Sequence, residues 1–380
     1  TRDHGAHGRV SQPAASMGQH MSQLPALPRS LPAYALRARE VLSQEAWAYF
    51  NSGAADELTA ARNVQAWQQW SLQPRVLQDL REGHTRCALL GRTSPAPMVV
   101  APMAYQAWAH PEGERATALA ACSLGCGFTF SQHSNTPLEQ VAALVLPEAS
   151  RGPLWFQIAN GCDRGFLREL IAQARRAGYE ALVLSVDAPV QGSRDRMREL
   201  NVQIPAHLQT PHWINPAPHA QGLCAGHVEH ALRWDDVSWL QAESGLPVLL
   251  KGITHPLDAQ QAARMGVAGV IVSNHGGRVL DTQVATANSL PAIADALQGD
   301  ACLLVDGGIR RGSDVFKALA LGAQAVLVGR PCLYGLAVAG AQGVAHVLRL
   351  LRDELEMTMA LCGCRDLSAI TRAHVHPSHI

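Results

Sequence analysis

The residues best suited to chemistry are His275 and Arg278, which lie three positions apart in the stretch VIVSNHGGRVLD, residues 270–281. The apolar start of this stretch predicts a short buried strand, and the two glycines predict a loose turn at the end of that strand. A histidine can take up a proton near neutral pH, and an arginine can hold a carboxylate through two parallel hydrogen bonds. The alternative is a polar turn whose histidine only caps a helix, and for an isolated histidine that interpretation would be preferred.

A second motif supports the chemical interpretation. Residues 303–331 read LLVDGGIRRGSDVFKALALGAQAVLVGRP, which predicts a strand, an Asp-Gly-Gly turn, a helix, a second strand and a Gly-Arg-Pro turn. Backbone N–H groups at a helix start favour an anion, and α/β barrels bind phosphate groups in this way. The two motifs together predict a barrel with its chemistry at the carboxyl ends of its strands.

The rest of the chain alternates strand and helix patterns. Eight strands, each followed by a helix, predict a parallel sheet closed into a (β/α)8 TIM barrel. The predicted strands are residues 97–103, 127–131, 154–159, 181–188, 247–252, 268–273, 302–306 and 324–329. A helical segment over residues 35–50 precedes the barrel. Residues 189–232, after the fourth strand, form a long loop without clear periodicity, which is typical of a functional lid or of disorder.

Composition limits the class of protein. With 380 residues, 47% of them hydrophobic, we expect one barrel domain over residues 25–380 and a mobile polar extension over residues 1–24. The formal net charge is zero, which gives no reason to expect nucleic acid or an anionic membrane as a partner. Nine cysteines without a C-x-x-C pair predict reduced thiols, a cytoplasmic location and no metal site.

The two motifs resemble the FMN-dependent 2-hydroxy-acid oxidase and dehydrogenase family, which includes glycolate oxidase, lactate oxidase and mandelate dehydrogenase. The resemblance covers roughly residues 30–375. It implies a flavoprotein that oxidises an L-2-hydroxy acid to the 2-oxo acid. The reduced flavin would be reoxidised by oxygen, with formation of hydrogen peroxide, or by another acceptor. The resemblance also implies a homo-oligomer, commonly a tetramer.

Polar residues end most of the predicted strands. Buried polar groups cost free energy unless they are paired, and a flavin ring, which carries several donors and acceptors, would pair them. The resemblance implies that FMN contacts Ala101, Pro102, Met103, Ser131, Gln157, Ser185, Lys251, Ser273, Asp306, Gly307, Gly308, Arg310, Gly329 and Arg330. Within this set, Lys251 is expected beside the flavin ring and Arg330 at the phosphate.

For catalysis, the resemblance implies that His275 is the base and that Asp187 orients its ring. Arg194 and Arg278 would bind the substrate carboxylate, and Tyr49 would lie over it. The residues alone leave simpler alternatives open: Asp187 can cap a turn, Arg194 lies in a charged run that can face solvent, and Tyr49 can be an ordinary half-buried aromatic. The sequence also leaves open whether His275 takes the proton from the α-carbon or from the hydroxyl.

Two positions depart from the family pattern, and a third stands where the family itself varies. Ala159 stands where most members carry a second active-site tyrosine, so we expect a pocket that admits a bulkier side chain, aromatic or branched. Val279 replaces the usual glutamine, with no effect that we can derive. His133 stands where members vary with substrate, and we expect it to face the pocket. Two alternatives are an FMN barrel of different chemistry, such as an isomerase, and a metabolite-binding barrel of low activity.

Overall fold

The computed structural model of the chain describes residues 26–159, 163–214, 223–224, 228 and 231–378. The predicted N-terminal extension lies outside these residues, as does part of the predicted loop over residues 189–232. The single-domain boundaries stay a prediction.

Three helices lead into the barrel: α1 Leu31–Val41, α2 Gln44–Asn51 and α3 Leu58–Gln68. Ser30 and Ser43 start the first two, because each side chain accepts a hydrogen bond from the backbone N–H three residues further on. The helical segment predicted over residues 35–50 is therefore two helices rather than one. Tyr49 lies in the last turn of α2.

The remaining elements alternate as the sequence predicts. The strands are β1 Trp70–Leu72, β2 Cys87–Leu89, β3 Arg92–Ser94, β4 Met98–Val100, β5 Gly127–Ser131, β6 Leu154–Ile158, β7 Ala181–Ser185, β8 Val248–Ile253, β9 Gly269–Val272, β10 Cys302–Val305, β11 Ala325–Val328 and β12 Val375–Pro377. The later helices are α4 Gly113–Ser123, α5 Leu138–Val145, α6 Arg164–Ala177, α7 Asp195–Glu199, α8 Trp234–Ser244, α9 Pro256–Arg264, α10 Thr286–Leu297, α11 Gly312–Ala320 and α12 Arg330–Cys362.

Strands β4 to β11 pair in parallel in chain order, and β11 pairs with β4 to close the barrel. The predicted (β/α)8 fold is confirmed. Two small sheets were not predicted. The hairpin β2–β3 brings Leu89 against the apolar barrel interior, and β1, which follows α3, pairs with β12 near the end of the described chain. Their strands of three residues are too short to give a clear pattern.

Side chains inside the barrel form two layers. The lower layer is apolar and fully buried, and it includes Val99, Trp155, Val183, Leu249, Ile271, Leu304 and Leu327. Strand side chains alternate between faces, so the residue two positions further on also faces inward. That upper layer is Ala101, Gln157, Ser185, Lys251, Ser273, Asp306 and Gly329, with Ser131 from β5. The strand period thus places the predicted polar residues at one end of the barrel.

The last helix, α12, bends at Ala339 and Gly340, where the backbone leaves the helical region. By length and composition it could span a membrane, but 61% of its most apolar window is buried within the protein. It packs most extensively against α1, α4 and α11. This is the pattern of a core helix.

Candidate active site

His275 and Asp187 meet at the carboxyl end of the barrel. Asp187 follows β7 and His275 follows β9, and His275 Nδ1 lies 2.7 and 2.8 Å from the two carboxylate oxygens of Asp187. Burial raises the pKa of Asp187, but His275 and Lys251 together hold it below its usual value. The ionised carboxylate fixes the ring and can stabilise its protonated form, which leaves His275 Nε2 free to act as a base.

Two partly buried arginines lie beside Tyr49. The Arg278 guanidinium is 5.5 Å from the centre of the Tyr49 ring, and its Nη1 donates to the backbone carbonyls of Phe50 and Ser52. Burial, with the like charges of Arg194 and Arg330, holds the pKa of Arg278 well below its usual value. Within the described chain, the buried Arg194 Nε has no hydrogen-bond partner. Two partly desolvated cations in one cavity favour the binding of an anion.

Lys251 connects the ends of β8, β9 and β10. Its ammonium group lies 3.0 Å from Ser273 Oγ and 3.1 Å from Asp306 Oδ2. All three side chains are buried, yet Asp306 Oδ1 has no partner among the described residues. Because a buried polar atom costs free energy when it is unpaired, this oxygen is suited to a donor on a ligand.

The neighbouring strands carry a second polar chain. Ser131 Oγ donates to Gln157 Oε1 at 3.1 Å, and Gln157 Nε2 donates to Ser185 Oγ at 3.0 Å. The amide orientation is thereby fixed, and the three side chains form a polar strip at the cavity floor.

The Asp-Gly-Gly turn, residues 306–308, presents backbone without side chains to the cavity at its two glycines. Gly307 and Gly308 have φ of 90° and 80°, and a side chain at Gly308 would overlap the carbonyl of Asn63. Arg330 does not extend freely from the Gly-Arg-Pro turn, because its guanidinium donates to the carbonyls of Phe50, Gly276 and Ser52. Arg310 Nη1 donates to the carbonyl of Ile309. The phosphate contacts of both arginines stay predictions.

These groups lie around one cavity of about 920 Å³. Every predicted site residue lines it except Asp187, which lies behind His275, and Ser273, which contacts Lys251. His133 and Ala159 line it too. Burial, with His275 as a smaller cause, lowers the pKa of His133 to about 4, so its ring is neutral at physiological pH.

The cavity also has aromatic residues that the sequence analysis does not single out. Tyr105 and Trp213 line it, and Trp108 lies 5.3 Å from Tyr49 between ring centres. Tyr105 and Trp108 lie in the connection that follows β4, the first barrel strand, so the rule that chemistry lies beyond strand ends could have found them. Trp213 could not be found in this way, because it comes from the long loop. Its ring contacts that of His133, with 4.3 Å between ring centres.

The described part of that loop is attached to the barrel. Gln132 Nε2 donates to the carbonyl of His212, and the Leu138 N–H donates to His212 Nε2. The segment that carries Trp213 is therefore a wall of the cavity.

An eight-stranded barrel with a histidine–aspartate pair, two partly buried guanidiniums and a glycine turn at its strand ends has the features of an enzyme that acts on an organic anion. The sequence model of the family described as FMN-dependent dehydrogenase matches residues 38–377. The chain belongs to this family, the FMN-dependent 2-hydroxy-acid oxidases and dehydrogenases.

Relatives agree with this assignment. An L-lactate oxidase of Nostoc sp. is 45% identical over 360 residues, which cover 92% of this chain and 98% of the relative. Glycolate oxidase 1 of Zea mays is 41% identical over 90% of this chain and 94% of the relative. The solved structure of a mandelate oxidase with benzoyl-formic acid superposes with a TM-score of 0.85 at 37% identity, covering 92% of this chain and 99% of that one.

The site fits FMN. Asp306 Oδ1 needs a donor, the bare turn at Gly307 and Gly308 can approach a phosphorylated chain closely, and Lys251 presents a buried positive charge. These residues would hold the ribityl chain, the phosphate and the ring, with Gln157 at the ring's polar edge. When bound, FMN accepts the two electrons of the oxidation.

Proposed function

We propose that this enzyme oxidises an L-2-hydroxy acid whose side chain is bulkier than that of lactate, aromatic or branched. The observation that carries the proposal is Ala159, a small residue in the cavity wall. Its backbone N–H donates to Gln132 Oε1 at 2.8 Å, which fixes this part of the wall. His133 and Trp213 supply aromatic surface to the same cavity. Space beside aromatic rings favours a large apolar side chain.

The anion site supports an acid substrate. Arg194 and Arg278 would hold the carboxylate, with Tyr49 beside them, and His275 would take up one of the two protons that the substrate loses. Asp187 would stabilise the resulting positive charge on the ring. Fixing the acid in this way is an orientation effect that can be worth roughly 7–11 kcal/mol in favourable cases.

The proposal is tested with Ala159→Tyr. Anaerobic bleaching of the flavin is followed by stopped-flow absorbance with lactate and with mandelate. We expect the ratio of mandelate to lactate efficiency to fall by about tenfold or more, because the phenol fills the space for the larger side chain. Ala88→Tyr, on the exposed face of the β2–β3 hairpin, is the matched control and should leave the ratio unchanged. An unchanged ratio in Ala159→Tyr would contradict the bulky-substrate proposal.

We further propose that oxygen reoxidises the flavin and that hydrogen peroxide is the product. Rapid return of the absorbance on mixing with air, with one peroxide per flavin, would support an oxidase. Slow return would indicate a dehydrogenase with another acceptor. If no 2-hydroxy acid bleaches the flavin, the proposed function is wrong. A cytoplasmic location and a homotetramer also stay predictions.

A further inference from the structure

We propose that the hydroxyl group of Tyr105 is an additional hydrogen-bond donor to the substrate carboxylate, beside Tyr49, Arg194 and Arg278. The inference rests on the proposed function, because it assigns one more residue to the same substrate. Tyr105 lies on the loop after β4, far in sequence from the motifs at residues 270–281 and 303–331.

The Tyr105 ring lies in the cavity against Tyr49. Tyr105 lines the cavity, and its ring meets the Tyr49 ring edge to face, with 5.6 Å between centres and 84° between planes. Tyr49 in turn lies against the Arg278 guanidinium at 5.5 Å. The Tyr105 ring therefore lies next to the group of side chains that faces the anion.

The charge state is suited to the role. Burial raises the pKa of Tyr105, and the neighbouring Tyr49 raises it further, against a smaller lowering by the hydrogen bond between the Tyr105 hydroxyl and the Thr210 side chain. Burial also raises the pKa of Tyr49, against the lowering effect of Arg278 and Arg194. Both phenols thus keep their protons at neutral pH, and a protonated phenol can donate to a carboxylate.

The backbone holds Tyr105 in an uncommon conformation. Its φ is 55°, in the left-handed region that side chains other than glycine rarely adopt. The Tyr105 N–H donates to the carbonyl of His133, and the next N–H, that of Gln106, donates to the carboxylate of the fully buried Glu114. Strained residues that surrounding contacts hold in place cluster at active sites and ligand-binding sites.

The hydrogen bonding of the anion site leaves room for such a donor. A carboxylate can accept about four hydrogen bonds. Arg278 Nη1 already donates hydrogen bonds to two backbone carbonyls. Ala159, in the cavity wall, has no side-chain donor. A phenol from the β4 loop would add a neutral donor without adding a third desolvated charge.

Tyr105→Phe tests the proposal, because it removes the hydroxyl and keeps the ring that packs on Tyr49. The FMN-loaded enzyme is reduced anaerobically with mandelate, and binding of benzoylformate, which carries the same carboxylate, is measured by perturbation of the flavin spectrum. We expect the efficiency of reduction to fall about tenfold or more and benzoylformate to bind correspondingly more weakly. Thr210→Val, which removes the neighbouring hydroxyl but leaves the phenol, should change neither value more than about threefold.

A double variant separates a binding role from a packing role. If Tyr105 acts through its hydroxyl, the loss caused by Tyr105→Phe should be smaller in an Ala159→Tyr background, where a second phenol faces the cavity. If Tyr105→Phe changes reduction and benzoylformate binding by less than twofold while the wild-type flavin is reduced normally, the inference is wrong and the proposed function stands. If the wild-type flavin is reduced by no 2-hydroxy acid, the proposed function fails, and this inference fails with it.

Discussion

Single side chains at the barrel rim are fixed by contacts between distant parts of the chain. His275 Nδ1 touches both oxygens of Asp187, and the ammonium group of Lys251 bridges Ser273 and Asp306. In each case a charged side chain has a hydrogen-bonding partner that fixes its orientation. These contacts predict which substitutions should reduce activity without unfolding the protein.

Asp187→Asn should keep the shape of the site and remove the charge that stabilises protonated His275. We expect the rate of flavin reduction to fall by about 10²-fold or more, as measured by anaerobic stopped-flow absorbance. Asp195→Asn is the control, because Asp195 is paired with Arg198 on the exposed helix α7. Equal rates in the Asp187 variant and the wild type would show that the contact has no catalytic role.

Lys251→Met should leave the Asp306 carboxylate buried without a cation. We expect weaker FMN binding, measured by flavin fluorescence, and a rate of flavin reduction lower by about 10²-fold, because an ammonium beside the ring stabilises its reduced, negatively charged form. Lys317→Met is the control. Lys317 is partly buried and donates to the carbonyl of Trp67, so its loss should affect stability but not FMN affinity. Unaltered FMN affinity and rate in the Lys251 variant would contradict the assignment.

At the level of elements, β8 shapes the site through its backbone. Gly252 has φ of 115°, and a Cβ at this position would lie 2.5 Å from Asp187 Cγ. Strand β8 therefore packs its bare backbone against the carboxylate that orients His275. A bulge between β8 and β9 lies at the same place.

Gly252→Ala should displace Asp187 and reduce flavin reduction at least about tenfold, in addition to a stability loss of about 1 kcal/mol or more from the backbone conformation. Gly245→Ala is a matched control. Gly245 also has positive φ, at 60°, but nothing lies near its missing Cβ, so only stability should change. Denaturant unfolding and stopped-flow reduction measure the two effects separately. Normal activity in the Gly252 variant would rule out this positioning role.

At the scale of the whole molecule, the long loop is joined to the barrel by a buried histidine. His212 is 4% exposed, its Nε2 accepts a hydrogen bond from Leu138, and burial lowers its pKa to about 4. In the unfolded chain a histidine has a pKa of about 6.5, so the unfolded state takes up the proton first as the pH falls. Stability from this group is therefore complete above about pH 6.5 and is lost towards pH 4.

We expect the free energy of unfolding to fall by about 2 kcal/mol between pH 7 and pH 5 because of His212. His212→Gln should be less stable at pH 7 and should lose less stability over this interval. His207→Gln, on the exposed surface of the same loop, should behave as the wild type does. Urea unfolding at the two pH values is the measurement. If the free energy of unfolding depends on pH identically in the wild type and in His212→Gln, protonation of His212 does not contribute to the loss of stability.

The sequence by itself determined the barrel and most of the cavity lining. Strand and helix periods depend on nearby residues, so the eight strands and the polar residues at their ends could be predicted from local pattern. The tertiary structure decided which of those groups touch. Asp187 and His275 are 88 positions apart in sequence, yet their side chains are hydrogen-bonded. The Arg330 guanidinium donates to the carbonyl of Phe50, and the Tyr105 ring packs against the Tyr49 ring. These contacts depend on side-chain direction and on chain segments far apart, which no local period encodes.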